Sequence, residues 1–247
     1  SNYFSNKAKD EVKLYLAPTE DLNNFEEVYT FSQGSVNHIH SYMQDPKSGL
    51  IFINVGDEGE TVGIWILDLD NKDVRPLLTG SQAYRSVISW IYEGDSFFTT
   101  DAPFSVNNIF KLSNEEEINV EELGRLKGPV IYGYANGRFT FFSTSVEPKK
   151  DTNSLKRFLP SYSVAGKSYL YVFDNRLEEL YLITDLDKDL FNPILFGFGS
   201  FKFPIQDNKN NMLVVNKSGL KDRKDLPKSL ICSNKHYEVF DLNLLKK

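Results

Sequence analysis

The sequence predicts an all-β protein, and three observations lead to this fold class. A pattern of short apolar runs recurs three times between residues 37 and 147, with about 45 residues from the start of one copy to the start of the next. Aromatic residues make up 14% of the chain, and most stand beside Val, Ile, Leu or Thr, as half-buried strands require. No segment shows a sustained helical period. We therefore expect strands throughout, with helix as a minor component.

The repeated block predicts a β-propeller of four-stranded antiparallel blades, because this period and these short strands are typical of that fold. Turn residues at 45–49 and 70–73 separate the strands of the first copy. We expect about five blades in a single domain over residues 1–247, since propellers close with four to eight blades. The predicted pieces are a half blade at 11–31, blades at 37–80, 83–127, 129–185 and 190–243, and a loop insertion at 148–168. The half blade indicates a propeller that is open, or whose first part lies upstream of Ser1.

Strand positions follow from the alternation of apolar and polar residues and from the turns between them. The amino-terminal half blade predicts strands at 13–17 and 27–31. The four blades predict strands at 38–43, 50–55, 63–69 and 74–78; at 84–92, 96–100, 108–112 and 120–126; at 130–134, 139–144, 169–174 and 179–184; and at 194–203, 212–216, 229–233 and 237–241.

The composition of the chain limits which kinds of molecule the protein is expected to bind and where it is expected to be found. The net charge is −6, with no long basic stretch, so we expect no nucleic-acid partner. No apolar run approaches the roughly 18 residues that span a bilayer, so we expect no membrane segment in this chain. The single cysteine, Cys232, excludes an internal disulfide framework. With no signal peptide visible, the localisation is open and we favour the cytoplasm.

Polar residues concentrate at one end of the predicted strands. In a four-stranded blade, the loop before the first strand and the loop after the second open on the same face, and these loops hold residues that strands do not require. Before or at the first strands stand His38, His40, Gln82, Tyr84 and Arg85; after the second strands stand Asp57, Asp101, Asn107, Asn108 and Glu147. We therefore predict that one face carries a ligand pocket.

The pair His38 and His40 alternates by two, so both side chains point to the same side of one strand. A His-x-His pair binds zinc only with a third ligand, normally His, Cys or a carboxylate. The remaining histidine, His236, and Cys232 fall in a different block. Hydrogen bonding to a ligand and a structural role both stay open for the pair, and we predict no metal and no cofactor.

Arg85 stands on an otherwise apolar predicted strand, 84–92, and a partly buried arginine requires an anionic partner. Asp57, Asp101, Glu147 or a ligand anion held by two hydrogen bonds could supply it. Several carboxylates beside an arginine could also perform acid–base chemistry at a glycosidic bond, which commonly uses two carboxyl groups. Asp57 and Asp101 equally fit ordinary turn hydrogen bonding, so no acid and nucleophile are assigned.

The segment Asp57-Glu-Gly-Glu-Thr61 resembles the Asp-box (BNR) repeat of sialidase-like β-propellers, whose core is Asp-x-Gly-x-Thr. A wider series is similar to sialidase-like proteins of bacterial surface-polysaccharide gene sets. It runs His-x-His, Gly-Asp, Ser-Gln-x-x-Arg, Thr-Asp, Asn-x-Ile and Val-Glu-Pro between residues 38 and 148. The resemblance covers residues 11–185 and implies a carbohydrate-facing propeller with a carbohydrate ligand.

The resemblance implies a sialidase-like glycoside hydrolase or a protein that recognises a surface-polysaccharide sugar. Sialidases hold the sugar carboxylate with three arginines; here Arg85 stands at a matching blade position, Arg138 falls in a turn on the opposite face and Arg157 in the insertion. The candidate catalytic residues are Asp57, Asp101 and Glu147, and the candidate substrate-binding residues are His38, His40, Gln82, Tyr84, Arg85, Asn107 and Asn108. The alternatives are a non-catalytic propeller module that binds a protein or glycan, with further domains upstream, and a purely structural scaffold.

Overall fold

The computed structural model describes residues 6, 8–114, 118–147, 166–190, 197–204, 212–221 and 237–241. Within these residues the protein is all-β, with one short 3-10 helix at Gln82–Tyr84. The strands are β1 (Val12–Leu16), β2 (Glu26–Phe31), β3 (His38–Gln44), β4 (Ile51–Gly56), β5 (Gly63–Asp68), β6 (Asp73–Thr79), β7 (Ser86–Tyr92), β8 (Asp95–Thr100), β9 (Asn107–Asn114), β10 (Ile118–Leu126), β11 (Val130–Asn136), β12 (Phe139–Thr144), β13 (Lys167–Asp174), β14 (Glu179–Asp187), β15 (Ser200–Lys202), β16 (Met212–Ser218) and β17 (Tyr237–Asp241). None of the described residues forms a helix with the length and apolar character needed to cross a membrane.

The strands form sheets in which neighbours in the chain are neighbours in space. The hairpin β1–β2 is a two-stranded sheet, β3–β6, β7–β10 and β11–β14 are four-stranded sheets, and β15–β17 is a three-stranded sheet. β3 pairs with β4, and β12 with β13, in antiparallel orientation. The predicted all-β class and the four-stranded antiparallel sheets are therefore confirmed, whereas the propeller and its blade count stay predictions. The predicted strand at 229–233 and residues 148–165 of the insertion lie outside the described residues.

The first complete block folds as its alternation predicts, since each of its four strands begins and ends within one residue of the predicted position. The second block differs at its start, where the predicted strand 84–92 is wrong by two residues. Ser81 caps a 3-10 helix by accepting a hydrogen bond from the amide of Ala83 at 3.2 Å, and Tyr84 ends that helix. Arg85 consequently lies between the helix and β7, outside the strand.

The chain divides into two compact units, each with its own core. The first unit is Ser1–Thr100 with Leu112–Asn119, and the second is Asp101–Lys111 with Val120–Lys247. One buried cluster of the first unit joins the β1–β2 hairpin to β4 and β5 and comprises Val12, Phe31, Val36, Ile53, Val55 and Leu67. One buried cluster of the second unit comprises Phe139, Phe141, Leu170, Val172, Leu186, Phe201, Leu213 and Val215. A single domain over 1–247 stays a prediction.

The three four-stranded sheets share one register at the end of their second strands. The last residues of β4, β8 and β12 pair with the first residues of β3, β7 and β11: Gly56 with His38, Thr100 with Ser86 and Thr144 with Val130. The pairing then shifts by one residue within the next few positions of each first strand. Such β-bulges bend a strand and re-aim its side chains. The residues that follow the second strands, Asp57, Asp101 and Ser145, are therefore equivalent positions of the repeat.

Candidate functional site

A polar cluster surrounds Asp57 in the first unit, at the point where β4 ends. We call it the Asp57 cluster, and its members are Asn37, His38, His40, Asp57, Gln82 and Arg85. They come from the loop before β3, the start of β3, the loop after β4, and the 3-10 helix with the residue that follows it. Shared register and short loops bring these distant parts of the sequence together.

Both carboxylate oxygens of Asp57 are engaged. Oδ1 lies 3.1 Å from Nη2 of Arg85 and 3.3 Å from Nε2 of His40. Oδ2 accepts a hydrogen bond from Nδ2 of Asn37 at 3.1 Å. The backbone carbonyl of Asp57 also accepts hydrogen bonds, from Nε2 of Gln82 at 2.9 Å and from Nη1 of Arg85 at 3.4 Å. The residue is thus held by its side chain and its main chain.

The imidazole of His40 has a defined orientation. His40 is the extra residue of the bulge in β3, because Ile39 pairs with Val55 and Ser41 with Asn54. Its Nδ1 lies 2.8 Å from the backbone carbonyl of Ser86, which can only accept a hydrogen bond. Nδ1 therefore carries a proton, and Nε2 is the nitrogen that faces Asp57. Only 1% of the His40 side chain is exposed, so the ring is enclosed by other protein atoms.

His38 lies beside His40, with 4.8 Å between the ring centroids and 41° between the ring planes. Its Nε2 is 3.7 Å from Oδ1 of Asp57. Burial lowers the pKa of His38, and although the negative charge of Asp57 raises it, the net direction is downward. His38 is therefore a neutral imidazole near pH 7.

Arg85 and Gln82 reach Asp57 from the turn before β7. Both side chains contact Asp57, and the Arg85 side chain is only 10% exposed. Arg85 was predicted to require an anionic partner, and Asp57 supplies one. A buried guanidinium close to a carboxylate gains a charge-assisted hydrogen bond that offsets the cost of leaving water.

The pKa of Asp57 lies well below its ordinary value. Burial raises it, but the hydrogen bond with His40, the charge of Arg85 and the hydrogen bond from Asn37 together outweigh burial. Asp57 is therefore ionised across the physiological pH range. It is also the most exposed of the charged side chains in the cluster, at 28%.

A second layer of hydrogen bonds supports β3 and β7 beneath the cluster. The buried amide of Asn54 donates to Oγ of Ser41 at 2.8 Å and to Oγ of Ser89 at 2.9 Å. Ser41 in turn donates to the backbone carbonyl of Val87 at 2.6 Å. These bonds join the two strands whose first residues carry His38, His40 and the Ser86 carbonyl.

The Asp-box-like segment connects β4 to β5, and its two ends have different contacts. Asp57 belongs to the cluster. Thr61 donates through Oγ1 to the backbone carbonyl of Ser35 at 2.5 Å, and its own carbonyl accepts from Nε1 of Trp65 at 3.0 Å. Thr61 thus fixes the far end of the loop to the segment before β3.

The other predicted site residues have local partners of their own. Tyr84 is half-buried at the end of the 3-10 helix. In the second unit, Asp101 is buried, and Asn107 closes the following loop by accepting from the amide of Ala102 at 2.8 Å and donating to its carbonyl at 2.9 Å. Asn108 donates to Glu122 at 3.2 Å, and Ser145 donates to Glu147 at 3.2 Å.

Two groups that hold the Asp57 cluster in place, the Asn37 side chain and the Ser86 carbonyl, were not among the predicted site residues. Asn37 stands in the predicted polar loop but was not a candidate ligand residue, although its proximity to His38 is a usable signal. The carbonyl of Ser86 has no sequence signal, since every residue carries one. The structure thus brings His38, His40, Asp57, Gln82 and Arg85 together from the predicted set, with these two additions.

The described residues define an all-β protein of repeated antiparallel sheets with a buried polar cluster at a strand end. No protein-family model matches the sequence, and no curated protein matches it. Among solved structures, the chain is similar to the crystal structure of TolB from Acinetobacter baumannii, with 14% identity and a TM-score of 0.42. That alignment covers 84% of this chain and 48% of the TolB chain, so the chain spans about half the length of that protein.

Proposed function

We propose that the chain is a β-propeller module that binds a hydroxyl-rich carbohydrate at the Asp57 cluster, by recognition without hydrolysis. The observation that carries this proposal is the partly exposed, ionised carboxylate of Asp57, held in place by Arg85, His40 and Asn37. Binding sites commonly combine a rigid surround with a few precisely placed polar groups.

The propeller arrangement is supported by contacts between first strands. In the first unit, β3 contacts β7, and in the second unit, β11 contacts β15. Each of these is the first strand of its sheet. A radial arrangement of blades brings first strands together around a central axis, and consecutive four-stranded sheets are its building units. The common register at Gly56, Thr100 and Thr144 supports the same repeat.

A neutral sugar suits the cluster better than an acidic one. Both terminal nitrogens of Arg85 already contact Asp57, through Nη2 to Oδ1 and Nη1 to the carbonyl. The guanidinium is therefore committed to a carboxylate of the protein, whereas a sialidase would offer it to the carboxylate of the sugar. The remaining accessible group is a carboxylate, which accepts hydrogen bonds from sugar hydroxyls and repels an acidic substituent.

The low pKa of Asp57 disfavours a role for this residue as the general acid or general base of hydrolysis. A general acid must carry a proton at the working pH, and a general base works best with a pKa near that pH. The pKa of Asp57 lies below its ordinary range, because His40 and Arg85 outweigh the effect of burial. Asp57 is thus suited to accepting hydrogen bonds and poorly suited to transferring protons.

A protein-binding module is a second candidate, and exposed aromatic residues of the β1–β2 hairpin favour it. Tyr15 is 53% exposed and Phe25 59% exposed, and their rings contact edge to face with centroids 5.3 Å apart. Leu22, in the turn between these strands, is also exposed. An exposed apolar group of this kind is typical of an interaction surface.

The test is calorimetric titration with a panel of neutral and acidic oligosaccharides from bacterial surface polysaccharides, with a chelator present throughout. We expect binding of a neutral member, and weakening by roughly tenfold to a hundredfold in Asp57→Asn, since a hydrogen bond to a charged group contributes about 1.5–3 kcal/mol. Asp70→Asn, an exposed carboxylate in the β5–β6 turn, is the matched control and should bind as wild type.

Two results would contradict the proposal. Equal affinity of wild type and Asp57→Asn for every bound sugar would remove the Asp57 cluster from recognition. Release of reducing ends by wild type but not by Asp57→Asn would replace recognition with hydrolysis. If this chain binds no member of the panel but binds a partner protein through the surface formed by Tyr15 and Phe25, the second candidate is supported.

A further inference from the structure

Three potential metal-binding atoms converge in the Asp57 cluster. They are Nε2 of His38, Nε2 of His40 and Oδ1 of Asp57, and one ligand atom of each residue lies within 4.8 Å of the other two. Two of the separations are 3.7 Å and 3.3 Å, from the two nitrogens to the carboxylate oxygen. In a tetrahedral zinc site with bonds of about 2.0–2.1 Å, two donor atoms lie about 3.3–3.4 Å apart. We propose that His38, His40 and Asp57 form a zinc-binding site.

The surroundings of the three atoms match those of a metal centre. A metal-binding histidine almost always donates its other ring N–H to a carboxylate or a backbone carbonyl, which fixes the ring. Nδ1 of His40 donates to the carbonyl of Ser86 at 2.8 Å, so Nε2 points toward Asp57. A metal-binding carboxylate is itself hydrogen-bonded, and Asn37 donates to the second oxygen of Asp57.

The sequence assembles this site through a bulge. His38 pairs with Gly56, the residue that precedes Asp57, so the start of β3 and the end of β4 are adjacent. The register shift at His40 turns its ring toward the same carboxylate. His-x-His supplies two nitrogen donors, and the third ligand that zinc requires comes from the loop after the paired strand.

The donor set selects the class of metal. Two imidazole nitrogens with one carboxylate oxygen suit zinc and related first-row ions, whereas magnesium and calcium prefer oxygen ligands alone. Three protein ligands leave a fourth position, which in such sites takes water or an oxygen of a bound molecule. Arg85 contacts the same oxygen of Asp57 and balances its charge, so it acts as a positioning residue.

A shared proton is the competing explanation for the short distance between His40 and Asp57. With Nδ1 of His40 already protonated, a lone pair on Nε2 would face a carboxylate oxygen 3.3 Å away. A metal ion bound to both atoms would make this contact favourable, and so would a proton shared between them. The two explanations differ in their response to added zinc.

The test uses the full chain with any affinity tag removed, stripped with a chelator and titrated with zinc chloride against a chromophoric zinc indicator. No sugar is present, so the result is independent of the proposed function. We expect one zinc ion per chain, and at least a tenfold loss of affinity in His38→Gln, His40→Gln and Asp57→Asn. Asn37→Ala, which removes only a supporting hydrogen bond, should weaken zinc binding by about tenfold to a hundredfold. Asp70→Asn should leave it unchanged.

A second measurement keeps the proposal testable if a variant fails to fold. Wild-type protein loaded with cobalt(II) should show the intense visible bands of a four-coordinate site. Wild-type protein that binds zinc no more tightly than Asp57→Asn, or a weak six-coordinate cobalt spectrum, would overturn the zinc site and leave the shared proton.

Discussion

The imidazole of His40 occupies the space that a side chain at Gly56 would require. A methyl group at residue 56 would come within 2.1 Å of Nε2 of His40 and 2.2 Å of Cε1. The ring cannot move aside easily, because it is buried and bonded to the carbonyl of Ser86. Glycine at this position is therefore part of the site, since it lets the ring approach the backbone next to Asp57.

Gly56→Ala should displace His40 and destabilise the protein. Inserting a methyl group into a packed interior costs about 1–3 kcal/mol in the free energy of unfolding, measured here by urea denaturation. A double variant with His40→Ala isolates the contact, because the second change removes the atoms that the methyl group would meet. The two effects should be non-additive, with the double variant losing less stability than the sum of the single variants. Strict additivity would show that the cost arises elsewhere.

Arg85→Met should destabilise the protein through Asp57. The variant leaves a carboxylate of which only 28% is exposed without the guanidinium that lies 3.1 Å from it. Removing one partner of a buried ion pair is strongly destabilising, and partial exposure of Asp57 reduces the expected cost to about 1–3 kcal/mol. Arg85→Lys should recover only part of it, because an ammonium group cannot contact the side chain and the carbonyl of Asp57 in the same fork.

The control for this prediction is the double variant Arg85→Met with Asp57→Asn. Neutralising the carboxylate removes the uncompensated charge, so the double variant should unfold at a higher urea concentration than Arg85→Met alone. A double variant less stable than Arg85→Met would show that the ion pair is not the source of the effect.

Asn54→Ala should weaken the junction between β3 and β7. Asn54 is fully buried and donates to the hydroxyls of Ser41 and Ser89, one from each strand. Leaving those partners unsatisfied in the interior costs about 1–3 kcal/mol in the free energy of unfolding. Asn71→Ala is the matched control, because Asn71 is exposed and donates to Asp68 in a turn; it should change stability by less than about 0.5 kcal/mol. Equal effects of the two substitutions would contradict this role for Asn54.

The fold followed from the sequence where the alternation is strong. The runs Leu50–Val55 and Phe139–Thr144 are rich in the β-branched and aromatic residues that favour strands, and they form β4 and β12 as expected. The error at residues 84 and 85 has a local cause: a 3-10 helix of three residues has no periodic pattern, and the cap at Ser81 has only a short sequence signature.

The candidate site was predictable only as a set of residues near strand ends. His38, His40, Asp57 and Arg85 stand out because β-strands do not require them. Their contacts depend on the bulge at His40 and on the backbone carbonyl of Ser86. Neither feature can be recognised from a single sequence. The equivalence of Asp57 and Asp101 was visible, whereas the third copy has Ser145 at that position, with Glu147 two residues further on.

The pH dependence of stability should have a contribution from Asp174, in the second unit. Asp174 is buried and accepts hydrogen bonds from Nε of Arg138 at 3.0 Å and 2.9 Å, and from the amides of Arg176 and Leu177. Burial raises the pKa of Asp174, whereas the hydrogen bonds from Arg138 and from the two amides lower it by a larger amount. The pKa of Asp174 therefore lies below its ordinary value. Its contribution to stability is therefore complete above the unfolded-state pKa of about 3.9 and is lost as the pH falls through the lower folded-state value.

Asp174→Asn should accordingly be less stable than wild type at pH 7, by about 1.5–3 kcal/mol for the loss of charge-assisted hydrogen bonds. The difference should shrink as the pH is lowered below about 4, because wild type loses the same charge by protonation while the variant has none to lose. Urea denaturation of both proteins between neutral and acidic pH measures this, with Asp70→Asn as an exposed carboxylate control that should follow wild type. A difference between wild type and Asp174→Asn that stays constant across this range would show that the carboxylate charge does not stabilise the turn between β13 and β14, and that the effect of the substitution is one of packing.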